Sequence, residues 1–252
     1  EERHDIEQDA KRAITENTSV GEEEGKEVEN GLEGIPVVPN DQNNTNKARA
    51  IFILEKASLG VAKVGKSYQL LNSDDHAYFL NKNPADYRPD IVHQALLTIL
   101  DSQLNKSGMV QAVYVKTEKG VLFEVKPYTR LPRTFKHFCG IMLQLLQKLS
   151  ITAVGKHEKL LRAIKNPISR YLPVNSRKIG LSHSSEKLVN INNYVDSADS
   201  DVDLVFVVGA IAHGKIDRQD TDDLISISDF PLSAAYCIGK TTNAFETKHN
   251  IL

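Results

Sequence analysis

The stretch that most restricts what this chain can fold into is the run from residue 203 to 208, DLVFVV. Its residues from Leu204 to Val208 are all apolar, mostly β-branched or aromatic, and leave no polar side for solvent. It therefore reads as a strand buried on both faces, the kind found inside a covered α/β sheet. Gly209 and Gly214 bracket the loop that follows, a second β-type run covers 224 to 227, and Pro231 stands where it can open a C-terminal helix. Two turns of exposed backbone thus leave neighbouring buried strands. In an open α/β sheet, small cofactors bind at the carboxyl ends of the strands.

Residues 209 to 216 spell GAIAHGKI, one residue away from the phosphate-binding pattern G-x-x-x-x-G-K-[ST]. Ile216 has no hydroxyl for magnesium, and the acidic DRQDTDD that follows lacks the periodicity of a phosphate-holding helix. Only 36 residues remain after Ile216, too few for the rest of a nucleotide hydrolase. A cofactor pocket is the better reading of two facing turns.

A chain of 252 residues with 40% hydrophobic content can bury one good core and a small appendage. No run of about 18 apolar residues occurs, so no membrane span is predicted, and no secretory signal is visible from Glu1. Cys139 and Cys237 each fall in an apolar helical pattern and read as small core residues in a reducing compartment. The net charge of −2 hides a division. Residues 1 to 34 hold twelve acids against four bases, which leaves the remainder near +6. Residues 1 to 47 are expected to be a disordered acidic tail, because their composition cannot offset the entropy of ordering. The folded domain is expected over 48 to 252.

That domain begins with a core strand at 50 to 54. Asp74, Asp75 and His76 suggest metal, but adjacent residues point apart and no second His-containing pair stands at ligand spacing; capping by Asn72, Ser73 or Asp74 is the simpler account. Asp90 begins a helix whose stripe is Ile91, Ala95, Leu96, Ile99 and Leu100, while Asp90, Gln94, Leu97 and Asp101 share another face. An acid in the last turn has the wrong sign for the helix dipole, which makes Asp101 the more suspicious of the two acids. His93 is assigned nothing. VQAVYVK and GVLFEV, joined by TEKG, read as a hairpin.

From Val125 to His157 there is no acid, and KPYTRLPRTFKHF interleaves four cations with Tyr128, Phe135 and Phe138 ahead of the apolar helix GIMLQLLQKL. Lys and Arg suit phosphates and aromatics can stack bases, so RNA contact ranks ahead of a solvated face. The phenylalanines read as core anchors. ITAVG, KLLRAIKN, VNSRKIGLSH and KLVNINNYV alternate β-type and helical runs, which predicts a mostly parallel sheet. In the C-terminal segment, Leu232, Ala235, Tyr236, Ile238 and Phe245 suit packing on a sheet or a second subunit.

YRPDIVHQALLTILDS, RLPRTFKHFCGIMLQLL, KLLRAIKNP, FVVGAIAHGK and ISDFPLSAA, in that order, resemble the nucleolar essential protein family. These are SPOUT-class methyltransferases that modify N1 of a pseudouridine in small-subunit ribosomal RNA during ribosome assembly. The resemblance runs from about Ala48 to Leu252. It implies an α/β fold of the SPOUT type, with a mostly parallel sheet, family-specific extensions and a C-terminal trefoil knot that holds bent S-adenosyl-L-methionine. It also implies a homodimer, nucleolar localisation, and small-subunit rRNA or pre-rRNA, assembly factors and ribosomal proteins as partners.

By the same resemblance, the cofactor residues would be Leu181, Gly209, Gly214, Lys215, Ile216 and the run Ile227, Ser228, Asp229, Phe230, Pro231 and Leu232. RNA would meet Arg88, Arg130 and Arg133; a family position usually held by arginine falls at His137, beside Lys136. Asp90 would support Arg88 and the helix start. Asp101 is the candidate for contact with the flipped base or acceptance of its proton. No metal is expected. An assembly factor that binds pre-ribosomal RNA and acts mainly without catalysis is the alternative.

Overall fold

A computed structural model describes residues 48–76, 87–153, 155, 157–216 and 221–251. The expected tail over 1 to 47 lies outside the described residues, as do Ala77, Phe79 and Leu80. Ten strands and six helices make up the described fold. The strands are β1 (Ala50–Ala57), β2 (Val61–Val64), β3 (Ser67–Leu70), β4 (Val110–Thr117), β5 (Leu122–Val125), β6 (Ser150–Thr152), β7 (Lys159–Ile164), β8 (Ser176–Leu181), β9 (Asp203–Gly209) and β10 (Asp223–Ile225). The helices are α1 (Ser73–His76), α2 (Pro89–Asp101), α3 (Gln103–Lys106), α4 (Phe135–Lys148), α5 (Ile191–Asp196) and α6 (Ala234–Lys248).

Eight strands form one sheet in the order β10-β8-β9-β1-β4-β5-β7-β6. Pairings from β10 to β4 are parallel, and those from β4 to β6 are antiparallel. Apolar residues on both faces explain why β9 and β1 lie inside the sheet. Phe52, Leu54, Leu204, Phe206 and Val208 face the helical side, where they meet Leu96 and Ile99 of α2, Phe138 of α4 and Phe245 of α6. Ile51, Ile53, Val205 and Val207 face the other side, covered by Ile216, Ile168 and Leu172. Phe206 stacks on Phe52 at 5.8 Å and meets Phe245 edge-on at 5.9 Å. Each such fully buried ring contributes roughly 1.5–3 kcal/mol.

Two expected elements differ. KLLRAI is not helical but the strand β7, paired with β5 and β6; its apolar and basic residues fit helical spacing as well as the half-exposed strand that forms. Pro231 does not open α6. The helix starts after Ser233, whose side chain accepts the Tyr236 N–H at 3.2 Å, and Pro231 stays in the preceding loop. Elsewhere, Asn72 caps α1, its Oδ1 accepting the N–H groups of Asp74 and Asp75 at 3.0 and 2.8 Å. His76 uses both ring nitrogens, against Asn72 N at 3.2 Å and Gln69 Oε1 at 3.1 Å.

The outer strand β10 is held by charge. Asp223 accepts from Tyr194 at 2.8 Å, from Arg177 at 3.3 Å and from Lys187. Burial opposes its charged form, but hydrogen bonds from Lys187 and Tyr194 outweigh burial and hold the carboxyl below its ordinary range. A depressed carboxyl stabilises the fold above the unfolded-state value and loses that contribution as the pH falls. Asp223→Asn is expected to cost about 1–3 kcal/mol at neutral pH in urea unfolding. The difference from the unmodified protein should shrink as the pH drops below about 4; a constant difference down to the acid limit would exclude this origin.

Candidate active site

The loops at the carboxyl ends of β8, β9 and β10 and the start of α2 enclose a cavity of about 640 Å³. The parallel direction of these three strands brings their loops to one edge. Leu181, Val208, Ile211, Ile216, Ile227 and Leu232 supply apolar wall, and Gln94, Ser182, Ser226 and Ser228 supply polar groups. Gly209, Gly214, Lys215, Phe230 and Pro231 also line it, as do Arg88 and Asp90. Asp229 does not. It is exposed, in a turn in which Ser228 and Phe230 face the cavity.

The loop after β9 is tied back to the end of β1. Ala210 N–H donates to Glu55 O at 2.8 Å, and Lys56 Nζ donates to Lys215 O at 2.6 Å. Ile216 occupies the position where a phosphate loop would need a hydroxyl, and it is buried in the second core. Of the two bracketing glycines, Gly214 is the constrained one. Its φ is +131°, and a Cβ there would lie 2.7 Å from Ile211 Cδ1. A Cβ on Gly209 would make only ordinary contacts, 3.6 and 3.7 Å from Ile211 and Ile216. A Cβ on Gly180, not singled out from sequence, would fall 2.6 Å from the movable end of Leu224 at Cδ1 and 3.2 Å from Thr221 Cγ2.

The third wall is held internally. Ser226 N–H donates to Lys187 O and Val189 N–H to Ser226 O, both at 2.8 Å. Ser226 Oγ donates to Ser228 O at 2.9 Å, and Ser228 Oγ accepts the Phe230 N–H at 3.0 Å. Cys237 lines the cavity too, and burial pushes its thiol up to about 11. It stays protonated at neutral pH, which removes it as a thiolate nucleophile.

Arg88 and Asp90 form a two-pronged pair on the cavity wall, with Nε–Oδ1 at 2.8 Å and Nη2–Oδ2 at 2.6 Å. Hydrogen bonding from Arg88 outweighs burial and holds the Asp90 carboxyl below its ordinary range. The same bond raises Arg88. Asp101 lies at the far end of α2, roughly 16 Å along the axis at 1.5 Å per residue. It is paired with Arg133 at 2.9 Å and Lys106 at 3.6 Å and does not line the cavity. Within one protomer Asp101 therefore stands apart from the cavity.

The basic segment is pinned by a residue left unassigned from sequence. His93, buried on α2, meets Pro132 O at 2.8 Å through Nε2 and stacks on Phe138 at 4.4 Å. Arg130, Arg133, Lys136 and His137 remain exposed, and His137 Nδ1 meets Thr134 Oγ1 at 2.7 Å. Phe138 is fully buried and Phe135 packs against the core, so both are anchors. A lone histidine in a helical pattern carries no signal that separates a clamp from a core residue.

Comparison with known proteins adds four findings. Residues 52–246 match the family model of the EMG1/NEP1 methyltransferases. The chain is 52% identical over 201 residues to the mouse ribosomal RNA small subunit methyltransferase NEP1, covering 79% of this chain and 81% of the mouse protein. With the human protein of the same name it shares 50% over 207 residues, 81% of this chain and 83% of the human protein. Among solved structures, the fold is similar to that of Archaeoglobus fulgidus Nep1 bound to S-adenosylhomocysteine, with a TM-score of 0.66 at 21% identity, over 81% of this chain and 99% of that one.

Proposed function

The chain belongs to the EMG1/NEP1 methyltransferase family and is an S-adenosylmethionine-dependent ribosomal RNA methyltransferase; on that premise we propose that its acceptor is N1 of a pseudouridine in small-subunit ribosomal RNA. The observation that carries the reading is the shared wall. Helix α2 runs from Arg88, which caps it on the cavity, to Asp101 beside Arg133 of the basic segment.

The cavity fits the cofactor by its own chemistry. Its apolar walls suit an adenine ring, and the backbone at Gly214 and over 226 to 232 offers polar groups to the amino-acid end. When bound, S-adenosylmethionine supplies a methyl group on a positively charged sulfur. Apart from Arg88 and Asp90, the matched residues that would hold it are Leu181, Gly209, Gly214, Lys215, Ile216, Ile227, Ser228, Phe230, Pro231 and Leu232.

Methyl transfer to N1 needs the acceptor base turned toward the cofactor and the N1 proton passed to water. Asp90 is committed to Arg88 by two hydrogen bonds, so its part is to fix the guanidinium rather than to accept a proton. A guanidinium so held orients a phosphate or a base oxygen at little entropic cost. We assign Arg130, Arg133, Lys136 and His137 to the RNA backbone, with Asp101 as the residue that positions Arg133. The base itself must leave its stack to reach the cavity.

The same reading includes a trefoil-knotted C-terminal part, a nucleolar site of action, and contact with small-subunit assembly factors and ribosomal proteins. It also includes a homodimer through the C-terminal region, where Phe230 and Tyr236 are 74% and 59% exposed; a single-protomer mass in sedimentation would remove the dimer. RNA hairpins that carry uridine or pseudouridine at one position test the acceptor.

A further inference from the structure

We infer that the β2–β3 hairpin is a second RNA-binding arm, in which Lys63 and Lys66 hold phosphates and Tyr68 stacks on an unpaired base. This rests on the RNA-methyltransferase reading and adds a contact surface that the cavity and the basic segment do not include.

The hairpin is built to project. Val64 pairs with Ser67 across a two-residue turn, Gly65–Lys66, in which Gly65 takes φ +63°. A two-stranded ribbon is marginal alone, so its root is anchored. Leu70 is buried in the main core with Val61 packed against it, and Leu71 N–H donates to Gly60 O at 2.7 Å. Beyond that root the ribbon is open. Lys63, Lys66 and Ser67 are exposed, and Tyr68 is 41% exposed. Lys63 and Tyr68 are directly opposed, so their side chains leave the same face.

Its position joins the two parts of the site. Ser58, just before the hairpin, accepts the Arg88 N–H at 3.2 Å, and Ser73, just after it, donates its N–H to Tyr87 O at 2.9 Å. Both strands of the root are therefore fixed to the start of α2, where Arg88 meets the cavity. β3 packs against α4, whose first turn carries Lys136 and His137.

Its charge has one sign. From Lys56 to Ser73 the sequence has three lysines and no acid. Among the described residues, Lys63 and Lys66 have no carboxylate partner, whereas Arg88 and Arg133 each have one. The acids that flank this segment are Glu55, which pairs with Lys116 at 3.5 Å, and Asp74 and Asp75 of α1, of which Asp75 accepts from Asn72 Nδ2 at 3.0 Å. Unpaired, exposed lysines with an opposed tyrosine on a protruding ribbon suit a single-stranded or looped RNA backbone with a splayed base.

The test compares the full chain with the Lys63→Gln/Lys66→Gln variant and with Tyr68→Ala, using a pseudouridine hairpin RNA over a range of salt and S-adenosylhomocysteine as a separate ligand. Loss of two phosphate contacts should lower the slope of log affinity against log salt by about 1.4–1.8, and weaken binding on the order of tenfold near 0.1 M salt. Tyr68→Ala should weaken binding with the salt slope unchanged, and all variants should bind S-adenosylhomocysteine normally. If the unmodified protein binds the RNA and the double variant matches it in affinity and slope, the arm is overturned. Failure of the unmodified protein to bind any such RNA would instead sink the functional reading beneath it.

Discussion

Gly214→Val is expected to weaken S-adenosylmethionine binding ten- to a hundredfold in calorimetry while the sheet stays folded. The backbone at 214 sits at φ +131°, where a β-branched residue is strained, and its Cβ would fall 2.7 Å from Ile211 Cδ1. Strain of about 1–3 kcal/mol is relieved by moving the loop, which is also the wall of the cavity, and about 1.4 kcal/mol corresponds to a decade in affinity. Gly209→Ala supplies the contrast. Its added methyl meets only ordinary contacts, so affinity should change little. Equal losses at both positions would show that the loop is not constrained at Gly214 in the way described.

Arg88→Ala is expected to lower kcat/KM for methylation about a hundredfold, the usual cost of losing one fixed charged donor at a reacting centre. S-adenosylmethionine affinity should fall far less, because the apolar walls and loop backbones remain. Lysine should not rescue it, since one ammonium cannot reproduce the two-pronged bond to Asp90. At the other end of the same helix, Asp101→Asn should leave the rate at saturating RNA within about threefold and act on RNA affinity through Arg133. A large loss in the chemical step for Asp101→Asn would return it to the reacting base.

The parts of the fold that were legible in sequence are those in which one short stretch decides its own fate. An uninterrupted apolar run gave the central strand β9, and TEKG between two apolar runs gave the β4–β5 hairpin. β7 is not legible in sequence, because basic and apolar residues in a six-residue strand fit either period. β2 and β3 were not anticipated at all; four-residue strands with exposed faces leave almost no apolar alternation. The cavity loops were found through their glycines and proline, but which glycine is constrained depends on Ile211 and Leu224, contacts that spacing cannot show. The same holds for the partners of Asp101 and His93, which are fixed by how α2 packs against the segment from Arg130 to Phe138. A face of α2 read as one surface turned out to have two ends, one on the cavity and one on the basic segment.

The central claim is that this chain moves a methyl group from S-adenosylmethionine to N1 of pseudouridine in RNA, and single-turnover transfer of a labelled methyl group tests it most directly. Two hairpins of identical sequence, one with uridine and one with pseudouridine at the target position, would be incubated with enzyme and digested to nucleosides. Label confined to N1-methylpseudouridine from the second hairpin is the predicted result. Label in both hairpins, at another atom, or in neither while S-adenosylmethionine binds normally would contradict it.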